Sequence, residues 1–134
     1  MEAAFPALSP GAVNQLGMLE LAYFGDTVCD LYVRGRLVQS GISVNEMHKR
    51  AVTLVNAQAQ ADALERIRPL LTEEEAAIVR RGQNAKAHHA VPHGIQHRVY
   101  NQATAFEALL GSLYLSGQDE RLWQLLSTAM EDLQ

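Results

Sequence analysis

The chain has 134 residues, 48% of them hydrophobic, with 15 acidic against 11 basic side chains and a formal charge of −4. This fits one domain, 1–134, with a real core and no room for a second ordinary one, and the acidic balance does not announce a nucleic-acid binder, although contact depends on where the charges lie. The lone cysteine, Cys29, excludes an intrachain disulfide framework, no stretch reaches the roughly 18 apolar residues of a membrane helix, and "MEAAFPALSPGA" lacks the basic start of a signal peptide, so the expectation is a soluble, cytoplasmic protein with no membrane partner.

The apolar periodicity is helical from end to end, without period-2 alternation or a hairpin turn pair, which predicts an all-α fold. After the loose "FPALSPG" opening, one long apolar helix is expected from about Val13 to about Val38, loosened or ended by Gly35 and Gly41. Ser43 and Glu46 then form a capping-box pattern. The helix they open carries Met47, Ala51, Leu54, Val55, Ala61, Leu64 and Ile67 near one stripe and closes at Pro69. Thr72 and Glu75 repeat the device. Three acids in that first turn suit the positive end of the helix dipole, and Arg80 and Arg81 suit its negative end, with Gly82 as the stop. "QNAKAHHAVPHGIQH" has no core pattern. A further apolar helix runs from about Val99 to Leu115, and a last amphipathic one lies near Asp119 to Leu133.

Two carboxylates stand out of place in these helices. Asp26 follows a glycine in "LAYFGDTVCDLYVR", and Glu107 sits in "TAFEALLGSLYL", with no lysine or arginine within a helical turn of Glu107. A buried, unpaired carboxylate costs several kcal/mol, so it must be neutralised, paired or bound to a cation. Two readings stand. Each acid could point from a wet helix face or serve a bend. Alternatively the two could meet across a helix pair and hold a divalent cation; oxygen-only ligation suits Mg²⁺, which keeps several waters and binds through one or two carboxylates plus phosphate.

The same segments carry a resemblance. "LAYFGDTVCDLYVR" resembles the signature helix of the ribonuclease III catalytic domain, and "TAFEALLGSLYL" resembles its second acidic motif. "NEMHKRAVTLVNAQAQ" and "LTEEEAAIVRRGQNAK" between them are similar to the Mini-ribonuclease III branch, the short form without a double-stranded-RNA-binding domain. The resemblance spans about residues 15–127. It implies the ribonuclease III endonuclease domain fold, a homodimer with a valley for double-stranded RNA, and Mg²⁺-dependent hydrolysis (Mn²⁺ as the alternative cation) leaving 5′-phosphate and 3′-hydroxyl ends. It further implies a role in maturing precursor 23S ribosomal RNA, in which a ribosomal protein could act as helper. By the same resemblance Asp26 and Glu107 are the catalytic and metal-binding acids. Two family acids are missing: Ala22 stands four residues before Asp26, and Thr104 three before Glu107. That leaves fewer protein ligands for a second metal, and it keeps a second reading in play, a catalytically silent RNA- or ribosome-binding module.

Between Glu75 and Glu107 there is no acidic residue, while Arg80, Arg81, Lys86, Arg98 and four histidines fall in that interval. An acidic chain thus has one cationic stretch of the kind a phosphate-reading surface needs. "RRGQNAK" resembles the branch's R-R-G-R-N-A-K, with Gln83 in place of an arginine, and Arg80, Arg81, Asn84, Lys86 and His93 are the expected RNA contacts. The "HHAVPHGIQH" run reads as an exposed loop rather than a zinc site, since no cysteine or carboxylate accompanies it. His48 is expected to be packed, and the apolar side of the first helix, with Leu19 and Tyr23, is the candidate dimer face.

Overall fold

The computed structural model describes residues 4–85 and 96–133, and among these every regular element is helical. A short helix α1 spans Pro10–Asn14, capped by Ser9, whose hydroxyl accepts from the Ala12 amide at 3.2 Å. Helix α2 spans Met18–Gln39. The single long helix expected from Val13 is therefore two. The chain turns at Gln15–Gly17, and α2 starts afresh where the Glu20 carboxylate accepts from the Gly17 amide. Gly35 does not interrupt α2; Gly41, at φ +80°, ends the connection beyond it.

The next expected helix is also divided. Helix α3 spans Val44–Val55 and α4 spans Ala57–Ile67, with Asn56 extended between them. The Asn56 side-chain oxygen accepts from the Ala59 amide at 2.8 Å, so it ends one helix and caps the next. At the start of α3 the Ser43 hydroxyl accepts from the Glu46 amide, while the Glu46 carboxylate turns to Lys49 at 3.7 Å instead of completing the box. Pro69 sits in a 3₁₀ turn over Arg68–Leu70. Helix α5 spans Glu73–Gln83, and there the reciprocal Thr72–Glu75 box is complete. Helix α6 spans His97–Leu115 and α7 spans Asp119–Ala129, joined at Gly117 with φ +75°.

Helix α6 runs through the middle of the molecule. Ala103 to Phe106 and Ala108 to Leu113 are buried on it, and α2, α4, α5 and α7 pack around it. Its neighbours come close because the contacts are glycines. A side chain at Gly25 would overlap the carbonyl of Glu107, and one at Gly111 would overlap the carbonyl of Leu21. Backbone thus lies on backbone where α2 crosses α6. Gly82 does the same for α5: a Cβ there would stand 2.8 Å from the Cα of Ala105. Gly82 is therefore needed for close packing and does not stop the helix, which continues to Gln83. The main core gathers Val28, Val33, Leu37, Leu64, Ile67, Phe106, Leu109, Leu110, Leu122, Leu125 and Leu126. A second cluster of Val13, Leu21, Ala22 and Ala108 seats α1 against α2 and α6.

Candidate active site

The α2–α6 crossing fixes where the two anomalous acids lie. Gly25 touches the backbone of Glu107, so Asp26 and Glu107 each stand beside the point of closest approach. Asp26 is not a core residue. The buried face of α2 runs through Leu21, Ala22, Gly25, Val28, Cys29, Val33 and Leu37, and Asp26 lies on the exposed edge beside it. Glu107 is the half-buried partner. Burial pushes its carboxyl up to about 8, and the hydrogen-bonded Asp26 carboxylate and its charge push in the same direction. The Gln60 amide opposes them. Gln60, on α4, is 4% exposed and donates from Nε2 to Glu107 Oε2 at 3.3 Å.

Cys29 lies one turn beyond Gly25 and is completely buried. Burial pushes its thiol up to about 12; the Gln60 hydrogen bond opposes the rise, and the charges of Glu107, Asp26 and Asp30 add to it. The thiol stays protonated at neutral pH and is no nucleophile. Asp30 is engaged elsewhere, in an ion pair with Arg34 at 3.0 Å.

Two carboxylates within hydrogen-bonding reach repel when both are ionised, and nothing cationic among the described residues offsets Glu107. Such a pair either keeps a proton or takes a cation. Its hard oxygen donors, one half-buried and one open to solvent, fit a hydrated divalent ion of the Mg²⁺ type. Neither missing family position adds a donor. Ala22 is buried in the apolar cluster under Val13, and the Thr104 hydroxyl donates to the Tyr100 carbonyl at 3.0 Å. No group of three or more His, Cys, Asp or Glu side chains suited to a metal occurs among the described residues.

Of the residues expected to touch RNA, three are described. Arg80 and Arg81 are exposed on the last turn of α5, and Asn84 is exposed as its C-cap. Gly82 rests on Ala105, two residues before Glu107, so this turn stands at the level of the acid pair along α6. Arg81 also reaches α1, with Nη2 3.5 Å from Asn14 Oδ1. Lys86, His93 and the rest of the histidine run to residue 95 lie outside the described residues. His48 is not packed: it is exposed and lines a surface groove with Arg34, Leu37, Val38, Val44, Met47 and Ala51. Tyr23, at 85% exposure, Leu31 and Val38 form an uncovered apolar row on α2, while Leu19 is half-buried.

Sequence reasoning passed over Gln60 and Arg121. Gln60 had a signal: it falls on the inner stripe of α4 between Ala57, Ala61 and Leu64, where a polar residue needs a partner. Arg121 had none, because its partner Glu75 lies 46 residues away.

The Ribonuclease III domain model matches residues 19–118 of this chain. The chain is 46% identical over 125 residues to "Mini-ribonuclease 3" of Thermoanaerobacter sp., covering 92% of this chain and 87% of the relative. It is 46% identical over 114 residues to the Mini-ribonuclease 3 of Symbiobacterium thermophilum, covering 84% and 87%. A crystal structure of a protein from Fusobacterium nucleatum superposes with a TM-score of 0.79 at 28% identity, covering 90% of this chain and 96% of that one.

Proposed function

Because the chain belongs to the ribonuclease III family, among the Mini-ribonuclease 3 proteins, we propose that it is an endoribonuclease that hydrolyses double-stranded RNA with a divalent cation held by Asp26 and Glu107. The observation that carries this reading is the acid pair itself. A half-buried carboxyl raised to about 8 stands beside a second, exposed carboxylate, with no guanidinium or ammonium assigned to it among the described residues. A fold that merely needed the helix crossing would do better with an apolar residue at position 107.

When bound, a divalent ion supplies positive charge to the scissile phosphate and lowers the pKa of water. The chain's own residues do the remaining work. Glu107 gives up its proton and offers a half-buried oxygen ligand; Asp26 offers a second from the solvent side, where a phosphate can approach. Arg80 and Arg81 bind backbone phosphates, and Asn84 is placed to reach 2′-hydroxyls, the groups by which A-form RNA is recognised. Lys86 and His93 extend that surface in the sequence. The apolar row of Tyr23, Leu31 and Val38 is the surface through which two copies would pair, giving a homodimer with two sites along one duplex. Products with 5′-phosphate and 3′-hydroxyl ends, and precursor 23S ribosomal RNA as the natural target, complete the reading.

Long double-stranded RNA and Mg²⁺, with a chelator control, test it. Wild-type cleavage should stop with chelator. It should fall at least about 10³-fold in Asp26→Asn and Glu107→Gln, since several kcal/mol of transition-state stabilisation leave with the ion and each 1.36 kcal/mol is tenfold. Ala22 and Thr104, which add no acid, favour one other reading, a silent RNA-binding module. RNA binding without cleavage of either long duplex or structured precursor rRNA would decide for it.

A further inference from the structure

Gln60 is the side chain at which three helices meet. It projects from α4, its amide Nε2 donates to Glu107 Oε2 on α6, and it lies beside the Cys29 thiol on α2. At 4% exposure it has left water completely, although leucine or methionine would fill an apolar stripe at lower cost. A buried amide is tolerated when it is hydrogen-bonded. Here the partner is the half-buried member of the acid pair. Nothing in the fold requires that arrangement: α4 already packs on α6 through Ala61, Leu64 and Ile67.

We propose that Gln60 is a positioning residue for the cation site: its N–H grips one oxygen of Glu107 and fixes the carboxyl plane, leaving the other oxygen for the ion shared with Asp26. A glutamate side chain has several rotatable bonds, and holding it in one arrangement costs rotamer freedom. The Gln60 bond meets that cost before the ion arrives. Such partners of metal-binding side chains set affinity by orientation. The inference rests on the cation reading of Asp26 and Glu107 given above.

The test is Mn²⁺ titration by calorimetry on the RNA-free protein, with melting temperature and cation-dependent cleavage measured alongside. The variants are Gln60→Met, close in length and without hydrogen bonding, and Gln60→Leu. Both are expected to fold. Mn²⁺ affinity should fall roughly 10–100-fold. The cation concentration for half-maximal cleavage should rise by the same factor, with the rate recovering when cation is raised. A purely structural defect would not be rescued by metal. Wild-type Mn²⁺ affinity in both variants would overturn the proposal. So would a cleavage loss that cation does not restore, or failure of both variants to fold, which would make Gln60 a core residue only. If wild type itself binds no Mn²⁺, the cation reading fails and this inference with it; that result shows in the wild-type titration alone.

Discussion

Glu75 and Glu107 are glutamates on adjacent helices, the first buried and the second half-buried, and the fold treats them in opposite ways. Glu75 is 5% exposed and fully answered: Arg121 donates from Nε to Oε2 at 2.9 Å and from Nη2 to Oε1 at 2.8 Å, and Thr72 contributes its amide from the cap. The Arg121 hydrogen bonds are the largest influence holding its carboxyl below the usual range. Glu107 has an amide and a second carboxylate, and its carboxyl is raised to about 8. Burial alone does not distinguish a structural acid from a functional one. The distinction is whether the chain supplies the counter-charge. Where α5 meets α7 the fold closes its own electrostatics, and where α2 crosses α6 it supplies no counter-charge among the described residues.

The strongest way to break the contrast is to remove the counter-charge. Arg121→Met strips the cation from Glu75 and should destabilise the chain by about 3 kcal/mol, the lower end for a broken buried pair because Arg121 is partly exposed. Urea unfolding reads the loss, and Glu75→Gln added to Arg121→Met should recover most of it. Glu107→Gln in the same assay should leave stability unchanged or raised. An equal loss in Glu107→Gln would place the two acids in one class.

The pH dependence sharpens the comparison with a smaller effect. The native Glu107 carboxyl binds its proton more tightly than the unfolded one, at about 8 against 4.5. Its contribution to stability is therefore full below pH 4.5, declines as pH rises, and is gone above about pH 8. Glu75 has the opposite sign: its contribution is present above the ordinary carboxylate value and is lost as pH falls through its lowered one. Metal-free protein should lose more stability between pH 6 and 8 than Glu107→Gln does, by a few kcal/mol at most, and saturating Mg²⁺ should flatten the difference. Identical pH curves for the two proteins would show that Glu107 titrates normally.

The smallest effects belong to the cationic turn. Arg80→Ala and Arg81→Ala should each weaken RNA binding uniformly across sequences and lower the log–log salt slope by about 1. Anisotropy in chelator reads both. An unchanged slope would move the RNA away from this side of α5.

Much of this was legible from residues alone, for identifiable reasons. Helix type and the Thr72 cap follow from local pattern, and the Asp26–Glu107 meeting is one of the two readings that the cost of a buried charge leaves open. The breaks at Gly17 and Asn56 were missed because apolar periodicity runs straight through both; only the caps, seen in three dimensions, reveal that the helix restarts. Asp26 looked internal because its neighbours are apolar, yet an α2 with Tyr23, Leu31 and Val38 uncovered has apolar residues on both faces, and hydrophobicity then loses its sense of direction. Gly82 reads as a terminator because glycine ends helices, whereas a glycine needed for another helix's backbone leaves no local trace.

The contact of Gly25 with Glu107 and of Gly111 with Leu21 has one more consequence. The distance between positions 26 and 107 belongs to the main chain and not to any side chain. Letters at 26 and 107 can therefore be exchanged while the ruler beneath them stays the same length. Histidine or cysteine at those places would offer softer donors at the spacing now given to oxygen, and the two glycines would be the residues a designer could not touch.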